Sequence, residues 1–398
     1  MKLTKLSLAV MLALGAFSVS SSAIPLEEAI KDVDMSGYLR YRYTNKNNED
    51  PDTGSHSSAN HQFKAIVNFK AALDDNFFTV VGLQYLSEDG SGDFADENNW
   101  NKDSDTFKVR QALLGYNIAN TTIMAGRQEV GAFFTDDMIG DGIKVLNKDI
   151  QGMTLAAMAF DNLDNDKDIS SLKLGIKPQT NEHNLYGVAA IGSYDPVAFQ
   201  LWYAYLQDVA SLFAAELTAN FDLNPVNLEL KGQYGFSSMD NDFKNATDDL
   251  ADHGDFYAGQ LTAKVYDFDV FGGYLAFNTD KDKVSLISYE DQGNFISPGE
   301  ELLDYSYFEG ENSYWFAGAG YTFFDKLRIG GEYIDGSNKT YNAKTDRSEW
   351  VARVDYKYSK KLKFKTWYSR VNEDLKDYHG PDNDLDQNKF RFEAKYSF

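Results

Sequence analysis

The chain has 398 residues, of which 43% are hydrophobic and 25% charged, and its mean hydropathy is −0.46. Acidic residues outnumber basic residues by 61 to 38, which gives a net charge of −23. This balance argues against nucleic acid as a partner, because phosphate binding needs a basic surface. Cysteine is absent, which excludes disulfides, cysteine-ligated metals and thiol catalysis. An aromatic content of 15% indicates a folded chain rather than a disordered one.

The N-terminal 23 residues have the pattern of a secretory signal peptide. A short basic region precedes an apolar stretch over residues 6–19, and the small residues 21–23 form a cleavage site. No other window approaches the roughly 20 apolar residues that a membrane-spanning helix needs. We therefore expect an exported protein, with residues 1–23 removed and a single domain over residues 24–398.

The mature chain alternates apolar and polar residues with a period of two. At the C-terminus, aromatic residues and one alanine alternate with Lys389, Arg391, Glu393 and Lys395, and residues 226–237 follow the same pattern. In a β-strand this period places apolar side chains on one face and polar side chains on the other. The mature chain is therefore predicted to be rich in strands with one apolar face.

Tight polar turns and long acidic connections alternate along most of the chain. The predicted turns lie at 73–76, 222–225, 266–269 and 359–361. The predicted long connections are 44–60, 87–106, 130–142, 161–171, 237–255, 279–312 and 372–388. Counting strands on this alternation gives about 18, each of about 9–12 residues, which suits tilted strands that cross an outer membrane.

The charges are distributed unevenly between connections and strands. The seven long connections hold 38 acidic and 7 basic residues, so the strands carry a slightly basic polar face. If the apolar face meets lipid, the polar face must line a lumen. A soluble two-sheet sandwich would show the same alternation, but it has no reason to gather its long loops at one end. We predict an all-β fold, a transmembrane antiparallel β-barrel of about 18 strands with long external loops and short periplasmic turns.

No motif in the sequence points to an enzyme. The five histidines are scattered, and there is no nucleophile elbow, phosphate-binding loop or dinucleotide fingerprint. Only 11 residues lie between the cleavage site and the first strand pattern at Met35, which leaves no room for the plug domain of an active transporter. A non-enzymatic channel in the bacterial outer membrane is the expected class.

Several long segments resemble the campylobacterial major outer membrane protein family. These segments are Pro25–Tyr43, Asn184–Asp195, Gln200–Ala210, Glu290–Asn294 and Val351–Ser359. They are spread over the whole chain, so the resemblance covers all of it. It implies a trimeric, mostly cation-selective porin of 18 strands, with a calcium ion near the constriction.

The resemblance also implies a set of calcium ligands. Glu290 and Asp291 match the family's Glu-Asp-Gln-Gly-Asn run directly. Asp141, with Asp164 or Asp166, is carried over from the two earlier loops of the family. Calcium prefers six to eight oxygen ligands, so carboxylates from separate loops would have to meet at one point.

The third external connection, residues 130–142, is predicted to fold into the lumen and form a constriction. Its acidic residues are Asp136, Asp137 and Asp141, and it carries no basic residue. The basic wall residues expected to face it are Arg40, Arg42 and Arg353. Opposite charges across a narrow opening would focus the field and favour polar solutes.

We predict a general diffusion porin that sits in outer-membrane lipid, forms a homotrimer and passes small hydrophilic solutes with a modest preference for cations. A substrate-specific channel, in which basic wall residues guide small carboxylates, is the alternative within the same fold. A non-conducting adhesin, whose barrel only anchors acidic loops, is an alternative of a different class.

Overall fold

The computed structural model describes residues 33–50, 54–92, 101–164, 169, 180–280, 282–288, 294–303, 307–340, 343–374 and 384–398. The predicted signal peptide lies outside these residues. The strands are β1 (Val33–Asp50), β2 (Gly54–Ala72), β3 (Phe77–Gly92), β4 (Asn101–Ile118), β5 (Thr121–Glu129), β6 (Ile139–Asn147), β7 (Met153–Leu163), β8 (Leu185–Tyr194), β9 (Val197–Leu206), β10 (Ala210–Asp222), β11 (Val226–Met239), β12 (Gly254–Val265), β13 (Phe268–Asn278), β14 (Val284–Ser288), β15 (Tyr307–Glu309), β16 (Glu311–Phe323), β17 (Leu327–Lys339), β18 (Lys344–Lys357), β19 (Leu362–Asp374) and β20 (Asp384–Ser397).

Eighteen of these strands form one closed antiparallel sheet. Each strand pairs with its neighbour in sequence, and β1 also pairs with β20, so the sheet has no free edge. Gly37 and Phe398 exchange two backbone hydrogen bonds of 3.1 Å across this seam. The remaining strands, β14 and β15, form a small separate sheet within the connection from β13 to β16. The predicted 18-stranded antiparallel barrel is confirmed.

The alternation read from the sequence sorts the side chains between the two faces of the barrel. Leu217, Leu230 and Leu261 point outward and are 50–56% exposed. Fifteen of the strands present an aromatic side chain on this outer face, a girdle made of Tyr41, Phe63, Tyr85, Phe107, Tyr186, Tyr203, Phe221, Tyr234, Tyr257, Tyr274, Trp315, Tyr333, Trp350, Tyr368 and Phe390. An apolar band with aromatic residues is the surface that a transmembrane barrel presents to lipid.

Tight turns join the strands at the end of the barrel where β1 begins and β20 ends. In the turn after β2, the Asp74 carboxylate accepts hydrogen bonds of 2.8 and 2.7 Å from the backbone N–H groups of Asn76 and Phe77. These hydrogen bonds lower the pKa of Asp74, and the one from Phe77 has the larger effect. The predicted turn at 73–76 is an Asx-type turn whose side chain replaces a backbone acceptor.

Two of the predicted long connections, 44–60 and 87–106, are shorter than predicted, because the flanking strands extend into them. Residues 44–50 of β1 pair with residues 54–60 of β2, and β3 pairs with β4 up to Ser91 and Asn101. These extensions have polar residues on both faces, so they lack the period of two that marks a strand beside lipid. Backbone pairing needs no such pattern, so the ladder continues through polar sequence.

Part of the lumen is filled by an apolar cluster. Inward side chains of three neighbouring strands contribute to it, namely Leu185, Ala189, Trp202, Ala204, Leu206, Ala210, Leu212 and Ala214. Two inward-folded segments, residues 130–138 and 294–303, cover this wall. Of the described residues, no helix is long and apolar enough to cross a membrane. The helix α1 (Asn241–Ala246) lies in the connection between β11 and β12.

Candidate pore constriction

Basic side chains line one side of the lumen. They lie at inward positions of β19, β20, β1 and β2, and we call them the basic stripe: Lys363, Lys365, Lys389, Arg391, Lys395, Arg40, Arg42, Lys46, Lys64 and Lys70. In-register neighbours such as Arg40 and Lys395 place these cations side by side. Glu393 is the acidic residue among them, and it accepts a 2.9 Å hydrogen bond from Arg42.

The third external connection folds into the lumen over residues 130–138, which we call loop L3. Val130 and Phe133 are fully buried and Met138 is 2% exposed. The Phe133 ring lies 5.0 Å, centroid to centroid, from the ring of Phe295 in an edge-to-face arrangement. Burial of such aromatic surface is favourable. Apolar contact therefore holds L3 against the wall opposite the basic stripe.

The charged end of L3 crosses to the basic side of the lumen. The Asp137 carboxylate lies 3.0 Å from the Lys64 ammonium and 3.0 Å from the Arg110 guanidinium. Arg110 is 2% exposed, and it also donates to the Asp137 carbonyl oxygen at 2.9 Å and to Gln84 at 3.1 Å. Arg110 is the extra residue of a β-bulge, which turns its side chain inward.

A second segment, residues 294–303, also lies inside the barrel, and we call it the strap. At its start the Gln233 side chain donates to the Asn294 carbonyl oxygen and accepts from the Ile296 N–H, both at 2.7 Å. The Asn294 N–H donates to the Phe133 carbonyl oxygen at 3.0 Å. The strap is therefore tied both to β11 and to L3.

The far end of the strap is held by a buried carboxylate on β18. Glu349 is fully buried. Its carboxylate accepts hydrogen bonds from the backbone N–H groups of Glu300 and Glu301 at 3.1 Å and of Leu302 at 2.9 Å. The Ser369 hydroxyl donates to the same carboxylate at 2.5 Å. These donors compensate for the cost of burying the charge.

The strap directs two carboxylates at wall cations. Glu300 lies 2.6 Å from Arg353 and 2.7 Å from Lys365. Glu301 forms an ion pair with Lys389 and accepts a 2.7 Å hydrogen bond from Gln387. L3 and the strap therefore contact the basic stripe at separate points.

The residues named from the sequence occupy different parts of this arrangement. Asp136 and Asp137 lie in L3, but the contacts of Asp137 are Lys64 and Arg110, which sequence reasoning missed. Arg40 and Arg42 lie in the basic stripe beside Glu393. Arg353 is the third basic residue that was predicted to face the constriction. It forms ion pairs with Glu332 and with Glu300 of the strap, both at 2.6 Å.

Asp141 is not part of L3. It lies on β6, where the register groups it with the outward Ile143, and its carboxylate is 3.1 Å from the Arg127 guanidinium. Asp164 also binds Arg127 and lies 3.0 Å from the Lys108 ammonium. The two aspartates therefore share one guanidinium.

The five residues implied as calcium ligands fall into two groups. Glu290, Asp291 and Asp166 lie outside the described residues. Asp141 and Asp164 fit a guanidinium rather than calcium, because Arg127 already supplies their positive charge. No group of three His, Asp or Glu side chains that could hold a metal occurs within the described part of the chain.

Arg110 is predicted to fix the position of L3 in the pore. Each hydrogen bond to a charged group contributes about 1.5–3 kcal/mol, so Arg110→Met should release the charged end of the loop. We expect larger single-channel conductance and more open-channel noise in planar bilayers. Arg127→Met removes the same charge from the outer face and should leave both quantities unchanged. Equal behaviour of the two variants would show that Arg110 does not hold the loop.

Comparison with known proteins agrees with this geometry. Pseudomonas aeruginosa OccK8 (OprE) is 15% identical, with a TM-score of 0.68 over 92% of this chain and 98% of that chain. A BenF-like porin from Pseudomonas fluorescens Pf-5 is 15% identical, with a TM-score of 0.67 over 92% and 99%. At such identities the likeness shows the fold alone. No curated protein matches the sequence.

The family comparison covers the whole length. Residues 1–398 match the model described as Campylobacter major outer membrane protein. Together with the porin fold, this match identifies the protein as an outer-membrane porin channel, located in the bacterial outer membrane. The chain belongs to the Campylobacter major outer membrane protein family.

Proposed function

We propose that this porin is a general diffusion channel for ions and small hydrophilic solutes, with a modest preference for cations. The observation that supports this most is the meeting of opposite charges in the lumen, where carboxylates of L3 and the strap face the basic stripe. A field of this kind orders polar solutes and water without favouring one solute structure. The acidic external connections add a negative potential at the mouth.

A substrate-specific channel for small carboxylates is the second candidate, and the basic stripe supports it. Neighbouring cations such as Arg40 and Lys395 could guide an anion along the wall. Competition separates the candidates, because a specific channel would show saturable block of ion current by succinate and a general porin would not. An adhesin would conduct no current at all.

The preference for cations is predicted to depend on salt. The Debye length, over which the charge of the acidic external loops acts, is about 30 Å at 0.01 M salt but only about 8 Å at 0.15 M. The reversal potential across a KCl gradient should therefore indicate potassium preference at low salt and a weaker preference as salt rises. Chloride preference at low salt would contradict the proposal.

A homotrimer is also proposed, and a gap in the aromatic girdle supports a site for its contacts. Strands β5, β6 and β7 contain a single aromatic residue, Phe160, which faces the lumen and is 2% exposed. Their outer face instead carries small residues such as Ala125 and Ala157, and the ion pair of Arg127 with Asp141. A face that lacks interfacial aromatics and bears charges suits another protein surface better than lipid.

Substitution of a small residue on this face should weaken the trimer. Ala157→Trp would block close approach of a neighbouring subunit, whereas Ala263→Trp on the outer face of β12 would add an aromatic residue where lipid is expected. We expect only Ala157→Trp to lower the temperature at which the purified oligomer dissociates. An oligomer that tolerates both substitutions equally would place the contact elsewhere, and a monomeric wild type would refute the trimer.

Calcium remains a proposed ligand through Glu290 and Asp291, which come from the family resemblance. A site made by folded loops would stabilise the native protein by about 2.7 kcal/mol at a hundredfold excess of calcium over its dissociation constant. Chelation should then lower the dissociation temperature of wild type but not of a Glu290→Gln, Asp291→Asn double variant. A wild type that is insensitive to chelation would end this proposal.

A further inference from the structure

We propose that Glu300 and Glu301 determine the charge selectivity of the channel by occupying wall cations that would otherwise bind the carboxylate of a passing solute. This inference rests on the proposed conducting function. The carboxylates of the strap bind cations of the basic stripe in the place that the carboxylate of a solute would otherwise take.

The contacts of the two glutamates support this role. Glu300 lies between Arg353 and Lys365, and the Lys365 side chain is 39% exposed, so the cation that Glu300 neutralises is open to the lumen. Glu301 and Lys389 are 5% and 9% exposed, so this ion pair is largely shielded from water. A carboxylate is the group that both glutamates supply, and it is also the group that such cations would recognise on a solute.

The strap holds these carboxylates in place from its backbone. Three consecutive N–H groups, from Glu300 to Leu302, donate to the buried Glu349 carboxylate. Gly299, which precedes them, has a φ of +86°, and a Cβ there would lie 2.3 Å from the Glu349 carboxylate. Glycine is therefore required at this position. The fixed backbone of this turn therefore sets the direction of the two glutamate side chains.

Removing each glutamate would take a negative charge away from a different lysine. Loss of Glu300 leaves Arg353 bound to Glu332 at 2.6 Å, so the positive charge that it uncovers is that of Lys365. Loss of Glu301 removes the carboxylate that pairs with Lys389. Both lysines belong to the basic stripe, so either loss removes one negative charge from this wall and makes the wall more positive.

The experiment compares reversal potentials and succinate block in planar bilayers. Glu300→Gln, Glu301→Gln and the double variant should shift the reversal potential toward anion preference, most in the double variant. Succinate should block the double variant, whereas wild type should stay unblocked even at a tenfold higher succinate concentration, since a charged hydrogen bond contributes at least about 1.5 kcal/mol. Glu229→Gln, an inward position on β11 away from the basic stripe, removes the same charge as a matched control.

The outcomes separate this inference from the proposed function. A wild type without conductance refutes the porin function itself. A conducting wild type with double-variant properties equal to those of Glu229→Gln refutes only the role of the strap.

A second variant tests the same inference without altering the strap. Lys365→Gln removes a cation that Glu300 neutralises in wild type, so it should leave excess negative charge and increase cation preference. An unchanged reversal potential in Lys365→Gln would overturn the proposal, even if the glutamate variants failed to fold. Heat-dependent gel mobility of the purified barrel shows which variants are folded.

Discussion

The constraint on which the structure depends is that no backbone polar group can be left without a partner in hydrocarbon. A closed sheet meets it, because each strand pairs on both sides and the seam between β1 and β20 leaves no edge. Once the sheet is closed, successive side chains must alternate between lipid and lumen. The aromatic girdle and the basic stripe are the two consequences of that alternation.

The charges in the lumen in turn determine how the inward segments are held inside the barrel. L3 packs its phenylalanines on an apolar wall, and the charge of Asp137 is neutralised by Lys64 and Arg110 on the other side. The strap repeats the arrangement, with Phe295 in the apolar cluster and its glutamates on wall cations. Each inward segment thus joins the apolar side of the lumen to its charged side.

The sequence was sufficient for features that depend on local alternation and insufficient for those that break it. The outward aromatics and inward charges of β20 follow the period of two, so the fold and the basic stripe could be predicted. Arg110 could not, because it lies at a bulge where Arg110 and Gln111 are both buried and the period of two breaks. Asp141 lay within an acidic stretch that reads as loop, yet backbone pairing makes it part of β6. Glu349 binds backbone N–H groups about fifty residues away, and no local pattern encodes such a contact.

The central claim is that the polar face of the strands lines a conducting pore. The chain has no cysteine, so single cysteines can be labelled without background. Cysteine would be placed in turn at Arg391, Phe392, Glu393, Ala394, Lys395 and Tyr396. A charged, water-soluble thiol reagent should change the conductance at the three inward positions and leave it unchanged at the three outward ones, because only a hydrated thiol forms the reactive thiolate. Modification without this alternation, or with the opposite phase, would contradict the account.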